Sequence, residues 1–344
     1  MKLNVFTNLD ELVLHLKEES PKENYKVEVG LRPSGIIHLG NMITLAYAAW
    51  LVNSLGTHKS KLNVTICDID AQGVDGNTLK TYNHLPDAYE CHETFADHST
   101  ANIKDYVSLL SEELGVEFTF SKLSDIQKNE SYRWGIERLL SDPTHLKEIL
   151  GMDNLKHGKV PVFPICPTCK TATKSFSDYD NISKKIKSHC KQCDEDREYY
   201  LFDPNIELPV HFLIDPIRDG LVEPLSDVHV FGGDYNELHG QNQIKKVDKI
   251  KMFNEAACLF NKTIGTKYLV GPLFYSEDGS KMSKSNLNGL SLDKLKEHFR
   301  GLSGKEWIKH IIGFSRYLIK NNVTHTDYSI TKNELLGGSF TQKY

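Results

Sequence analysis

The chain has 344 residues, 39% of them hydrophobic, with a formal net charge of -5 and an isoelectric point near 6.3. That length can bury a sizeable core, and the acidic balance excludes bulk attraction to nucleic acid while leaving room for a local basic face. No apolar run approaches the roughly 18 residues of a membrane span, and the N-terminus lacks the charged and apolar regions of a secretion signal. A cytoplasmic enzyme with no membrane and no DNA partner is expected.

In chain order, Tyr25–Leu31 alternates polar and apolar residues as a strand does, and Met42–Leu55 is rich in Leu, Ala, Met, Trp and Tyr and stops before Gly56, as a helix does. Between them lies Arg32-Pro33-Ser34-Gly35-Ile36-Ile37-His38-Leu39-Gly40-Asn41, a strand-to-helix turn. In an open α/β sheet such a turn sits at the carboxyl end of a strand, where ligands bind, and the free N–H groups of the helix start attract phosphate. Gly35 and Gly40 let a base or sugar approach the backbone, and His38 can donate to a phosphate oxygen. Leu62–Asp68 reads as a second parallel strand ending in Asp68-Ile69-Asp70, at the same sheet edge as His38. One of these carboxylates would hold the ammonium of an amine-bearing substrate. Ile103, Val107, Leu110 and Leu114 form a core-facing helical stripe before Gly115, and Val116–Phe120 alternates as a third strand.

Seven cysteines occur, with Cys67, Cys91 and Cys258 isolated and the rest in two Cys-x-x-Cys pairs, Cys166/Cys169 and Cys190/Cys193. Four thiolates on two tight turns match tetrahedral zinc, and four sulfur ligands leave no open position for water, so the metal would be structural. The lysines around the pairs suit a solvated face, or contact with an RNA acceptor end. Further on, Leu208–Ile214 and Val228–Phe231 are strand candidates. The second runs into Gly232-Gly233-Asp234, where glycines admit a ribose and Asp234 can accept from its hydroxyls. Lys281-Met282-Ser283-Lys284-Ser285 follows a turn-rich stretch and brings two ammonium groups to a loop. Such cations would neutralise charge on a leaving pyrophosphate. Leu292, Leu295 and Phe299, then Trp307, Ile308, Ile311, Ile312, Phe314 and Leu318, recur at helical spacing. There is no Gly-x-Ser-x-Gly nucleophile turn and no Walker loop, which disfavours hydrolase and P-loop chemistry.

The His-x-Gly-Asn turn and the Lys-Met-Ser-Lys-Ser loop together resemble the class I aminoacyl-tRNA synthetases. The Pro-Ser-Gly-x-x-His-x-Gly-Asn form, the central cysteine pairs, Pro216-Ile217-Arg218 and Gly233-Asp234 are similar to the class I lysyl-tRNA synthetases, over about residues 20 to 300. The resemblance implies an α/β fold with a doubly wound, Rossmann-type parallel sheet, a zinc-knuckle insertion and a short helical C-terminal appendage. The first half of the catalytic domain would span 1–150, the insertion 151–205, the second half 206–275, and the lysine loop with the C-terminal helices 276–344. It implies adenylation of an amino acid with ATP and Mg2+, structural zinc, and transfer to an acceptor, with tRNA read through its acceptor stem favoured. His38, Asn41, Lys281 and Lys284 would be catalytic. Arg32, Ser34, Gly35, His38, Gly40, Gly232, Gly233, Asp234, Met282 and Ser283 would hold ATP.

The chain departs from the lysyl pattern in the pocket. Asp215 and Asp219 stand where the family carries tryptophans flanking the Pro-x-Arg segment, and Gly232-Gly233-Asp234-Tyr235 replaces Gly-Lys-Asp-His. With Asp68, Asp70 and Tyr235, these carboxylates favour lysine or a lysine-like amine-bearing acid, because a buried ammonium needs paired charge. Only a short stretch follows the lysine loop, less than an anticodon-reading domain needs. Three explanations compete: a catalytic core acting on tRNA through the acceptor stem alone, a truncated or split synthetase, or a tRNA-independent ligase that passes the activated amino acid to a small molecule or carrier protein.

Overall fold

The structure is a computed structural model, and it describes residues 5–19, 21–35, 37–56, 60–87, 90–142, 144, 159–210, 226–232, 266–275, 297, 304–323 and 325–327. Strand β1 (Val5–Phe6) is followed by helix α1 (Leu9–Glu19), β2 (Lys26–Leu31), α2 (Leu39–Leu55), β3 (Lys61–Ile66), the short strands β4 (Ala71–Gly73) and β5 (Thr78–Thr81), α3 (Phe95–Leu114), β6 (Phe118–Lys122), α4 (Leu123–Ile126) and α5 (Glu130–Ser141). The middle of the chain carries β7 (Lys159–Val160), β8 (Ala172–Thr173), β9 (Ser177–Asp180), β10 (Lys185–Cys190) and β11 (Glu195–Tyr200). Then come β12 (Val228–Phe231), β13 (Lys267–Val270), β14 (Leu273–Tyr275), α6 (Gly304–Lys320) and β15 (His325–Asp327).

Six strands form a parallel sheet in the order β1-β13-β12-β2-β3-β6. The chain moves outward from β2 through β3 to β6, then returns to the other side of β2 with β12 and β13. Strand order therefore reverses between β2 and β12, and the carboxyl ends of those two strands open a crevice.

Helix α2 is apolar nearly all round because it is buried nearly all round. It packs on Val27, Val29, Leu62 and Val64 of the sheet, and α1, α3 and α6 join the same core. Gly56 ends it at φ 67, donating its N–H to Asn53 O, a left-handed cap that a side chain would strain. The helix begins at Leu39, earlier than the apolar pattern from Met42, so Gly40 and Asn41 lie in its first turn. On α6, Trp307, Ile308, Ile311, Ile312, Phe314 and Leu318 are all buried, and the ring of Trp307 stacks on Tyr106 of α3 at 6.2 Å. The C-terminal helical element thus belongs to the main core. Its partner stripe on α3, Ile103, Val107 and Leu110, is buried, with Leu114 partly so.

Three strand boundaries differ from the sequence pattern. The third strand begins at Phe118 and not Val116, because Val116 is spent in the core and Glu117 O already accepts from Leu62 N. The second ends at Ile66, and Asp68 leaves the ladder. Of Leu208–Ile214, residues 208–210 run beside 162–165, with Phe163 N donating to Pro209 O at 2.9 Å and Val210 bridging Val162, and residues 211–214 lie outside those described. Leu292, Leu295 and Phe299 also lie outside them.

The cysteine-rich insertion is a separate antiparallel sheet, β11-β10-β9-β7, with its own core of Ile186, Tyr199, Leu201 and Val162 against Tyr132 and Ile136 of α5. A third, three-stranded sheet, β4-β5-β8, forms a seam between it and the segment that follows β3. Strand β8 pairs with β5, placing Ala172 opposite Leu79, and Phe163 and Ile165 close over that contact.

Candidate active site and metal centres

The turn after β2 is built mainly from backbone geometry. Ser34 N donates to Arg32 O at 2.8 Å, and Gly35 sits at φ 123, where a side chain would be strained. The N–H of Gly35 donates to Ser99 Oγ at 3.1 Å, pinning the turn to the fully buried Ser99 near the start of α3. His38 is the N-cap of α2, with Nδ1 accepting the N–H of Gly40 at 3.1 Å. That bond puts the proton of the neutral ring on Nε2. Gly40 is required here, because a Cβ on it would lie 3.0 Å from His38 Cε1 and 3.2 Å from Nδ1. Asn41 is half-buried on the same first turn, and Tyr106 of α3 donates to Met42 O at 2.9 Å.

Gly232 follows β12 directly across the crevice and is half-buried. The N–H of Gly271 closes on Phe231 O beside it at 2.8 Å. Gly233, Asp234, Tyr235, Asp215, Asp219, Lys281, Met282, Ser283 and Lys284 lie outside the described residues.

The two acids after β3 diverge. Asp68, expected beside the substrate, is instead committed to the fold. It is fully buried, its Oδ1 accepts from Ser124 N at 2.9 Å, and its Oδ2 accepts from Ser124 Oγ at 2.6 Å and Asn83 Nδ2 at 3.0 Å. Burial pushes its carboxyl up, against the pull of those hydrogen bonds. Asp70 reaches the turn and accepts from Arg32 Nε through Oδ2 at 2.7 Å. Arg32, expected on ATP, and Asp70, expected on the amino acid, are therefore one ion pair at the mouth of the crevice. About half of the Arg32 side chain remains in water.

The four central cysteines converge. Their sulfurs all lie within 4.8 Å of one another, with Cys166–Cys193 at 3.8 Å and Cys169–Cys190 at 3.4 Å. Tetrahedral ligands about 2.3 Å from zinc lie about 3.8 Å apart, so the donor set fits that ion. The two turns share one backbone solution: the residue after each second cysteine, Lys170 and Asp194, is left-handed at φ 58 and 56. Burial alone would raise the Cys166 thiol, but the N–H groups of Cys169 and Thr168 aimed at its sulfur bring it down to about 6. A thiolate is thereby favoured before any metal arrives.

A second cluster went unseen in the sequence, where Cys91 counted as isolated. Asp87, Cys91 and His98 place ligand atoms within 4.8 Å of one another. The Asp87 carboxylate is wholly buried, and its Oδ2 takes the N–H groups of Cys91 and His92 at 3.0 Å each and His98 Nδ1 at 3.1 Å. The ring of His92 stands edge-on to His98 at 5.4 Å. Mixed oxygen, sulfur and imidazole donors suit a zinc-like ion. The spacing Asp-x3-Cys-His-x5-His was the available signal, and His98 neighbours the Ser99 that holds Gly35.

Residues 5–210 match the family described as tRNA synthetases class I (K). That is more than half of the chain. The chain belongs to this family. Among curated relatives, it is 29% identical over 184 residues to the lysine–tRNA ligase of Thermococcus kodakarensis, covering 47% of this chain and 34% of that one. It is 24% identical over 261 residues to the lysine–tRNA ligase of Methanocaldococcus jannaschii, covering 66% of this chain and 46% of that one. The matched part thus spans less than half the length of either relative. Among solved structures, a tyrosyl-tRNA synthetase complexed with L-tyrosine from Archaeoglobus fulgidus aligns at 19% identity and a TM-score of 0.46, over 88% of this chain and 72% of that one. The class I (K) match runs from β1 to the end of the cysteine-rich module, so it takes in the turn after β2, both clusters of candidate ligands and the seam beside the module. Among the described residues, no helix is long and apolar enough to cross a membrane.

Proposed function

We propose that this chain condenses ATP with an amino acid to form an aminoacyl adenylate, lysine or a lysine-like amine-bearing acid being favoured, and that it transfers the aminoacyl group to tRNA. The observation that carries this reading is the position of the Arg32–Asn41 turn. It lies where strand order reverses, faces Gly232, and holds an imidazole N–H at a helix N-terminus.

The chemistry asks for positioning and charge stabilisation. The amino acid carboxylate attacks the α-phosphorus in line, and pyrophosphate leaves. In this proposal His38 Nε2–H and the N–H groups of the first turn of α2, including that of Asn41, meet the phosphates. Ser34, Gly35 and Gly40 keep the backbone open for the nucleotide, Gly232, Gly233 and Asp234 take the ribose, and Lys281 and Lys284, flanking Met282 and Ser283, neutralise the departing pyrophosphate. Mg2+ would accompany ATP, as it commonly does with nucleotide phosphates. Asp70, with Asp215, Asp219 and Tyr235, would line the amino acid pocket, and a substrate ammonium would have to share Asp70 with Arg32. Zinc on Cys166, Cys169, Cys190 and Cys193 would hold the insertion together without entering the reaction.

Amino-acid-dependent exchange of labelled pyrophosphate into ATP tests the reading across a panel of amino acids. Exchange with lysine is expected, and none with any amino acid would overturn the adenylation claim. Charging of total tRNA with the exchanging amino acid is the companion test. Nuclease-resistant product would move the acceptor away from tRNA and toward a small molecule or carrier protein.

A further inference from the structure

Helix α3 carries an apolar stripe on which Ala96, Ile103, Tyr106, Val107 and Leu110 are all buried. Ser99 falls on that stripe, between Ala96 and Ile103, and is 0% exposed. A hydroxyl there gives up water and adds little apolar contact, so the position asks for a hydrogen-bond partner. The partner is the N–H of Gly35 at 3.1 Å, 64 residues earlier in the turn after β2.

Ser315 of α6 shows what a buried serine does when its task is packing alone. It is equally buried, accepts from Trp50 Nε1 at 3.1 Å and donates to Ile312 O at 2.7 Å, and both partners lie in or against the main apolar core. Ser99 instead gives its oxygen to a backbone N–H inside the turn assigned above to ATP. Gly35 needs such a hold. At φ 123 it rests where a side chain would be strained, and a glycine left to itself visits positive and negative φ about equally. A trans peptide is planar, with its N–H and C=O pointing opposite ways, so fixing the Gly35 N–H toward α3 also turns the Ser34 carbonyl away from that helix. One hydrogen bond therefore sets the plane of a whole peptide in the bend. The start of α3 is itself held: Thr94 caps it by accepting the N–H of Asp97 at 3.2 Å, and His98, next to Ser99, anchors on Asp87 at 3.1 Å.

We propose that Ser99 is a positioning residue for ATP, holding the Ser34–Gly35 peptide in the conformation that receives the nucleotide. The inference rests on the proposed function for the identity of that ligand. Ser99 acts through Gly35 and takes no part in bond making. Without its oxygen the receptive conformer becomes one of several, so ATP affinity falls with the fraction lost, while the rate from the filled site is kept. A net hydrogen bond is worth roughly a 2- to 12-fold ratio in such a population.

Pyrophosphate exchange by the full chain compares Ser99→Ala with Thr100→Val. Thr100 is the next residue, is also buried, and donates to Ala96 O within α3 at 2.6 Å, so its variant loosens the same helix without reaching the turn. Ser99→Ala should raise the KM for ATP about five-fold, with kcat and the KM for the amino acid within about two-fold of wild type. Thr100→Val should leave all three constants unchanged, whatever it does to the melting temperature. An unchanged KM for ATP in Ser99→Ala, a loss confined to kcat, or an equal rise in Thr100→Val would each overturn the proposal. Equilibrium dialysis with labelled ATP repeats the comparison without turnover. Weaker ATP binding by Ser99→Ala in a chain that exchanges with no amino acid would remove the adenylation reading and keep Ser99. Normal exchange with equal ATP affinity in wild type and Ser99→Ala would do the reverse.

Discussion

The turn after β2 gathers its parts from distant points of the chain, whereas the cysteine cluster closes within residues 166–193. Around the turn, Gly35 leans on Ser99, Arg32 on Asp70, and Gly232 arrives from β12. Those contacts exist only once the parallel sheet has assembled, and the large apolar core beneath them supplies the stability. The module has a smaller core, and its cysteines sit on two reverse turns that repeat one backbone geometry. Its order is local and conditional on sulfur chemistry, while the order of the turn is non-local and conditional on packing. Damage to either should therefore show in different measurements.

The largest effect expected is on the module. Cys166→Ser should release zinc and unfold the insertion, since structural zinc contributes on the order of 10 kcal/mol to small domains. Metal content after dialysis checks this, and full retention would break the contrast at its strongest point. At the crevice, His38→Ala and Lys284→Ala should each lower pyrophosphate exchange by about 10²- to 10³-fold with little change in melting temperature or ATP affinity. Gly40→Ala separates the two kinds of order within one residue. The added Cβ presses on the His38 ring, so exchange should fall about ten-fold or more, while the helix gains up to about 1 kcal/mol from the replacement. Equal losses of activity and stability would mean that the turn is not held as described.

The smallest effect concerns the seam. Burial would raise the Glu207 carboxyl, but His84 at 3.2 Å and Thr81 at 2.9 Å outweigh it and hold the group below its usual range. A carboxylate lowered in the folded state stabilises above its unfolded value and loses that contribution as pH falls through the folded one. Glu207→Gln should therefore flatten the acid limb of stability below about pH 5, by on the order of 1 kcal/mol. Melting temperatures at neutral and acid pH read this directly. An unaltered acid limb would remove Glu207 from the seam's energetics.

What could be read from the sequence was what short range dictates. The alternation of β2, the apolar run of α2 and its Gly56 stop, the stripe of α6 and the paired cysteines all encode their geometry in neighbouring residues. What escaped was decided across distance. Asp68 looked available until Ser124, far along the chain, captured its carboxylate, and nothing local to Arg32 announced its ion pair with Asp70. The Asp87, Cys91 and His98 cluster was hidden for a different reason. Its spacing mixes three donor types, and no periodicity marks it.

Helix α2, buried on nearly every side, has a kinetic consequence for the imidazole that caps it. Amides that only global opening exposes exchange with solvent at the slowest rates a protein shows. Those of Ile43 through Val52 lie in such a place, buried beneath the sheet and three other helices. The seat of His38 is therefore as durable as the whole fold. It should be among the last features to fade as the protein is warmed, long after the surface of the insertion has begun to trade its protons with water.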